Sequence, residues 1–407
     1  MSIKAQKGTK DILPSDISNW HKIEDAAKDL FNKANCKEIR TPIFESTELF
    51  ERGVGETTDI VNKEMYTFIK SDRSLTLRPE NTAGVVRAYL EHNMTRESAP
   101  IKLWYKGPMF RYERPQAGRQ RQFHQIGVEI FGIQDASADA ECITLATQFL
   151  NKLGLNDLSV EINSLGCGVC RTEYKERLMK SMAPYIQEMC EDCRSRYDKN
   201  PLRILDCKNE HCIKLMQDNK LQEEVSNINL CDECATHYNE LKLHLDALKI
   251  NYLENRFLVR GLDYYTKTVF EIKSNNLGSQ NAVCGGGRYD GLVETLGGPH
   301  TPAVGWAMGV ERLNSLIEKT EPAKLDYFIV STNIGEALKL THEVRNSGFT
   351  ADFDYSKRKF GKQIEKAAKI AKNAIILGED EISTNTLTIK NLETSEQVKI
   401  TKQELIK

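Results

Sequence analysis

Apolar residues recur at helical spacing near the start of the chain, where Ile17, Trp20, Ile23, Ala27, Leu30 and Phe31 share one face. The pattern predicts an amphipathic helix over residues 17–34, and Pro42 then breaks it. Residues 75–91 read as a strand followed by a helix, with Asn81 or Thr82 near the cap. Leu103–Lys106 and Val128–Phe131 read as two strands, joined by an arginine-dense polar segment from Arg111 to Arg121. A hairpin with a long basic loop fits that spacing. A helix from about Ala138 to Lys152 ends at Gly154. After Val160–Asn163 the texture changes: residues 166–248 are polar, helical in pattern, and hold eight of the eleven cysteines. Strand-like segments return at residues 257–259, 268–272 and 282–284, a glycine run follows, and a helix begins near Gly309. Beyond Pro322, strands at 327–330, 351–353 and 374–377 alternate with helices at 335–347 and 359–372, the pattern of a small α/β domain.

At 407 residues the chain exceeds the usual ~100–200 residues per domain. The expected division is a domain built from residues 1–165 and 250–320, interrupted by a cysteine-containing helical insertion at 166–249 and followed by an α/β domain at 325–407. A net charge of −2 excludes a uniformly basic nucleic-acid coat but not a local basic patch. No apolar run approaches the ~20 residues of a membrane span, and the opening Met1–Gly8 lacks the apolar centre of a secretory signal. Cysteines in such a chain point to a reducing compartment, so a cytoplasmic protein without a membrane partner is expected.

Several catalytic signatures are excluded. Gly361-Lys362 continues with Gln363 and has Ser356 where a Walker loop needs its first glycine; His342-Glu343 is followed by Asn346 where a zinc-protease helix needs its second ligand. No G-x-S-x-G elbow occurs. The densest chemistry lies between Trp104 and Glu129, where Arg111, Glu113, Arg114, Arg119 and Arg121 precede Phe123 and Gln125. Arginine suits bidentate phosphate contact, a nearby glutamate can accept from an exocyclic amine, and Phe123 can stack on a base; a solvated charged hairpin is the plainer reading. Glu80 and Thr82 can receive an ammonium group or simply cap a helix. Arg260 beside Gly261, the Gly285-Gly286-Gly287 run and Arg312 at a helix start each suit close approach to a ligand, or a turn or salt bridge instead.

Together these segments closely resemble the histidyl-tRNA synthetases, from Lys7-Gly8-Thr9-Lys10-Asp11-Ile12-Leu13-Pro14 through the terminal α/β domain. Leu258-Val259-Arg260-Gly261-Leu262-Asp263-Tyr264-Tyr265-Thr266 and Gly286-Gly287-Arg288-Tyr289-Asp290 are the most specific stretches. Counterparts of the three class II motifs lie around Pro42, at Phe110–Glu129 and at Gly305–Leu313. The resemblance implies an α+β fold: a class II catalytic domain with a mainly antiparallel sheet, a helical insertion, and a C-terminal anticodon-binding domain. It implies ATP-dependent activation of L-histidine to histidyl-adenylate, transfer to the 3′ end of tRNA(His), Mg2+ accompanying ATP, and a homodimer.

By resemblance, Arg111 holds the α-phosphate, Arg312 the γ-phosphate, Glu113 the adenine amine and Phe123 the adenine ring. Arg260 bridges the histidine carboxylate and the α-phosphate. Glu80, Thr82 and Gln125 belong to the amino-acid site, and Glu129 and Tyr265 to the imidazole, with Tyr264 and Tyr105 nearby. Arg114, Gln116, Arg119 and Arg121 are expected at the acceptor stem, and Lys362, Lys366 and Lys369 on the anticodon side. The competing reading is a catalytically inactive paralogue that senses histidine as a regulatory subunit of histidine biosynthesis; such proteins lose catalytic arginines and the terminal domain, all of which are present here.

Three C-x-x-C pairs, Cys167/Cys170, Cys190/Cys193 and Cys231/Cys234, stand with a looser cluster of Cys207, His211 and Cys212. Two such pairs ordinarily signal structural zinc. The resemblance does not require it, since catalysis in the family is not zinc-dependent and some members lack these thiols. Reduced thiols are therefore the favoured expectation, and zinc the alternative.

Overall fold

A computed structural model of the chain describes residues 3–56, 58–116, 118–205, 207, 209–219, 221, 228–274, 281–356 and 358–406. They form two compact units, Met1–Lys319 and Thr320–Lys407.

The strands of the first unit are β1 (Lys37–Glu38), β2 (Phe44–Ser46), β3 (Tyr66–Lys70), β4 (Arg73–Leu77), β5 (Ile101–Phe110), β6 (Gln122–Phe131), β7 (Leu158–Ser164), β8 (Tyr252–Glu254), β9 (Thr266–Ser274), β10 (Ala282–Arg288) and β11 (Ala303–Gly309). Eight of them make one sheet in the order β1-β5-β6-β11-β10-β9-β7-β8. Its pairings are antiparallel except β1–β5 and β7–β8. A small second sheet joins β2, β4 and β3.

Period-two alternation gives this sheet two different faces. Ile126, Val128 and Ile130 of β6 and Val304, Trp306 and Met308 of β11 face the core. Over them lie the helices Ile17–Lys33 and Ser137–Lys152. Phe31 is fully buried, its ring 5.6 Å from Trp104, 5.4 Å from Phe149 and 5.7 Å from Trp306. A buried side chain of this kind contributes roughly 1.5–3 kcal/mol, which is what pins the helices to the sheet. The alternate positions, Phe123, Gln125 and Glu129 of β6 and Gly305, Ala307 and Gly309 of β11, take the opposite face, where the chemistry lies.

The segment 257–259 is not a strand. Its apolar character comes from Leu258, which is buried against Tyr265, and the Asn163 side chain donates to the carbonyls of Arg256 and Leu258 at 3.3 and 3.1 Å. Those bonds occupy acceptors that a strand ladder would use. The neighbouring strand is Tyr252–Glu254 instead.

Three insertion helices, Gly168–Met182, Glu191–Lys199 and Glu210–Asp218, surround a small core containing Tyr174, Leu178, Met182, Met189 and Met216. A fourth, Asp232–Ala247, buries Leu241 and Leu245 in the main core beneath the sheet. Ion pairs and a hydrogen bond fasten the insertion to the sheet domain: Arg196 and Arg203 reach Asp59 at 3.3 and 3.4 Å, and Asn200 donates to Asp263 at 2.6 Å.

The second unit contains β12 (Leu325–Val330), β13 (Ala351–Phe353), β14 (Ala371–Ile376), β15 (Thr386–Asn391) and β16 (Gln397–Thr401) in the order β13-β12-β14-β15-β16. The first three are parallel, and the last two add an antiparallel hairpin. Helices Ile334–Asn346 and Phe360–Ile370 cross over between the parallel strands, as the alternation predicts.

Candidate active site

A cavity of about 1080 Å³ opens on the chemical face of the large sheet. Its floor uses Gly285 of β10 and Ala307 and Gly309 of β11, small residues that leave the sheet backbone accessible. Arg111 enters from the start of the β5–β6 loop, Arg260 from the irregular segment after Leu258, and Arg312 from the helix Val310–Leu316. Three cations distant in sequence thus converge on one space, as an extended polyanion requires.

Each guanidinium is held by the fold. Arg111 donates from Nε to the Pro79 carbonyl at 2.8 Å and lies 5.4 Å from the Phe123 ring centre. Arg312 donates to the carbonyls of Gly118, at 3.2 Å, and Ala282. Arg260 donates from Nη1 to Glu271 at 2.6 Å, while its buried Nε has no partner among the described residues. Glu113 is paired with Arg119 at 3.1 Å and stands 3.9 Å from Arg111. It keeps lone pairs for an amine.

At the other end of the cavity, Glu80 both caps and lines. Its two oxygens accept from the amides of Thr82, at 2.7 Å, and Ala83, at 3.0 Å, so the capping reading and the ligand-facing one coexist. Burial pushes its carboxyl above the ordinary value against those bonds. Thr82 in turn donates to Glu129 at 2.8 Å, and Tyr289 donates to the other Glu129 oxygen at 2.6 Å. Glu129 is completely buried and sits behind Thr82, not on the cavity wall. Burial raises its carboxyl to about 8, with Glu80 adding to the effect. Tyr264, Tyr265 and Gln125 line the cavity. The buried Oε1 of Gln125 has no partner among the described residues, a state that costs ~1–3 kcal/mol until a ligand donates to it.

The expected RNA-contacting residues divide. Arg114 and Gln116 are exposed. Arg119 instead lines the cavity, and Arg121 is occupied by the Tyr112 ring, 3.9 Å away, and by the Glu113 carbonyl. In the second unit Lys362 pairs with Glu365 at 2.8 Å, Lys366 lies 5.3 Å from the Phe328 ring centre, and Lys369 is exposed. The face opposite the lysines is buried at Gln363 and Ala367, whereas Ala368 is exposed. Gln363 is there because it bonds both the amide and the carbonyl of Ser331.

Sequence reasoning missed Glu271, Tyr289, Arg196 and Arg203 as parts of this site or its wall. Tyr289 stood inside a quoted motif, just past β10, and only the fold brings it to Glu129 on β6. The same motif's Arg288 is wholly buried and bonds Asp139, Asp290 and the Ile133 carbonyl, so it secures the sheet and does not face the cavity.

A mainly antiparallel sheet whose open face gathers these arginines, in a chain that also carries a separate α/β unit, defines a class II aminoacyl-tRNA synthetase. The histidyl-tRNA synthetase family model matches residues 8–172 and 186–313, and an anticodon binding domain matches residues 326–407. The chain is 48% identical to the histidine–tRNA ligase of Acetivibrio thermocellus over all of this chain and 99% of that one, and 49% identical to that of Halothermothrix orenii over 100% and 98%. The crystal structure of apo S. aureus histidyl-tRNA synthetase superposes with a TM-score of 0.82 at 40% identity, covering 100% of this chain and 99% of that one. The chain belongs to the histidyl-tRNA synthetase family.

Proposed function

We propose that the chain activates L-histidine with ATP and transfers the histidyl group to tRNA(His), with the cavity on the sheet as the activation site. The observation that carries this is the convergence of Arg111, Arg260 and Arg312 on one cavity whose far end holds Glu80, Thr82, Gln125 and Tyr265. Its volume suits a nucleotide and an amino acid together.

Activation forms a bond between a histidine carboxylate oxygen and the α-phosphorus and breaks the bond to pyrophosphate. Both reacting groups are anionic, so positioning and charge stabilisation dominate. Arg111 holds the α-phosphate and Arg260 lies between it and the carboxylate. Arg312 holds the γ-phosphate of a bent ATP, and Mg2+ enters with the polyphosphate. Glu113 and Phe123 receive adenine. Glu80 and Thr82 receive the ammonium, with Gln125 beside them. Tyr264, Tyr265 and, through its buried network, Glu129 read the imidazole. Neutral imidazole offers one donor and one acceptor, and a side chain lacking them strands buried polar groups, a mismatch that can reject analogues by ~10⁴-fold.

Arg114 and Gln116, with Arg119 and Arg121 behind them, guide the acceptor stem, and the Lys362, Lys366 and Lys369 face of the second unit contacts the anticodon side. The exposed Ile43, Phe44, Phe68 and Ile69, around the first class II motif, form the dimer surface. Among the described residues no helix is long and apolar enough to cross a membrane. Histidine-dependent ATP–pyrophosphate exchange tests the reading. Robust exchange is expected, and its absence in folded dimeric protein overturns it.

A further inference from the structure

Outside the catalytic cavity, the strongest concentration of ligand-bearing side chains is in the insertion. The eight cysteines there are not scattered through its core. Cys167, Cys170, Cys231 and Cys234 form one group, and Cys190, Cys193, Cys207 and Cys212 another; within each, the four sulfurs lie within 4.8 Å of one another. Chain order alone does not give this pairing, because the second group is nested inside the loop that the first group closes.

The spacing suits a single tetrahedral ion. The Cys167 and Cys170 sulfurs are 3.6 Å apart, and those of Cys190 and Cys207 are 3.8 Å apart. Four sulfurs each about 2.3 Å from a central zinc stand about 3.8 Å from one another. Disulfide bonding requires about 2.0 Å, and all eight thiols are free. In a four-iron cluster each thiolate binds a different iron, which spreads the sulfurs further apart.

The backbone around each group also favours thiolates over packed thiols. Cys167, Cys190 and Cys231 each cap the N-terminus of a helix, where unpaired amides and the helix dipole favour negative charge. The Cys190 amide donates to the Cys212 sulfur at 3.2 Å, and the Cys231 amide to the Cys170 sulfur at 3.3 Å. In both groups this bond runs from one half of the set to the other, the arrangement by which outer groups orient metal ligands.

We propose that the insertion carries two structural zinc ions per chain, one in each four-cysteine group. Four protein ligands close each site, so neither ion is a Lewis acid for substrate. The inner site lies directly beneath the cavity wall: Cys190 and Cys207 border the cavity alongside Arg196 and Arg203. Its role is to hold those arginines on Asp59.

The test uses full-length, untagged protein purified from zinc-supplemented cells in chelator-free buffer. Elemental analysis should give about two zinc ions per chain, with X-ray absorption showing four sulfurs at about 2.3 Å. The pairs Cys170→Ser with Cys234→Ser, and Cys193→Ser with Cys212→Ser, should each remove one ion, and the quadruple variant both. The wild-type measurement stands even where a variant does not fold. Mercurial titration of its thiols should release two zinc ions to a colorimetric indicator. A stoichiometry near one or near zero overturns the proposal, as does iron in place of zinc or mass-spectrometric detection of disulfides in freshly purified protein.

Discussion

The Arg260 guanidinium lies so close over Gly285 that a methyl group at position 285 would overlap its Nη2 nitrogen. Glu271 holds the other terminal nitrogen, so strand β10 and its neighbour together set the plane of the guanidinium. Gly285→Ala should therefore displace Arg260 without removing it. Rapid-quench measurement at saturating histidine and ATP is expected to show adenylate formation slowed on the order of 10²-fold, as for loss of a preorganised charge stabiliser. Arg260→Ala and Arg260→Lys should lose a similar factor, the lysine because an ammonium cannot donate to two anions in one plane. Transfer from preformed adenylate should suffer less. A wild-type activation rate in folded Gly285→Ala protein removes Arg260 from the role assigned to it.

Glu129 gives a pH prediction. Its carboxyl is raised from 4.5 to about 8, chiefly by burial, so it is mostly protonated at pH 7. Histidine in the cavity acts on Glu129 through Thr82, and where that network turns to favour the carboxylate, histidine binding at pH 7.5 should release a proton. Calorimetry in buffers of different ionisation enthalpy measures this directly, and Glu129→Gln should abolish it while weakening histidine binding. Stability follows the same group: the folded protein holds a proton that the unfolded chain has lost between about 4.5 and 8. Its stabilising share is complete below that window and lost as pH rises through it. The glutamine variant should flatten that slope.

The buried Arg288–Asp139 pair makes a stability prediction. Both side chains are fully buried; burial opposes the Asp139 charge, but Arg288 and His237 together outweigh it and hold the carboxyl below its ordinary value. Arg288→Met leaves the buried Asp139 carboxylate with only His237, 3.5 Å away, and should cost up to ~3–5 kcal/mol in denaturant unfolding. A change under 1 kcal/mol would mean that water or a shifted proton compensates the site.

RNA contact should separate from activation. Removing the chain from Thr320 onward takes away a unit with its own core around Phe328, Ile329 and Ile375. Pyrophosphate exchange should persist while tRNA charging falls sharply. Within the full chain, Lys362→Ala with Lys369→Ala should weaken tRNA binding and reduce its salt dependence, whereas Arg114→Ala should slow transfer and spare activation. Normal charging by the truncated protein would contradict the anticodon assignment.

Sequence periodicity located the paired strands, the long helices and the βαβ unit because each rests on a run of residues with one dominant spacing. It failed at residues 257–259, where burial of a single leucine imitates a strand, and at the β15–β16 hairpin, whose alternation is short. The roles of Arg111, Arg260 and Arg312 came from the resemblance, because each alone also reads as a turn, a salt bridge or a solvated charge; the fold brings all three to one cavity. Glu271 and Tyr289 were not legible, since only the fold brings them to their partners, Arg260 and Glu129. The grouping of the cysteines was hidden for a related reason: local spacing marks the pairs, but only the fold decides which pairs meet.

The strand order has a consequence during synthesis. β5 and β6 leave the ribosome early, yet β6 needs β11 along its free edge, and β11 is joined to β7 only through β10 and β9. A nascent chain that ends within the insertion thus has a hairpin with one bare edge, and neither Arg260 nor Arg312. At ~5–20 residues per second, the wait from β6 to β11 is on the order of ten seconds or more. During that interval the exposed edge of β6 is open to mispairing, and a chaperone that covers strand edges has its target there.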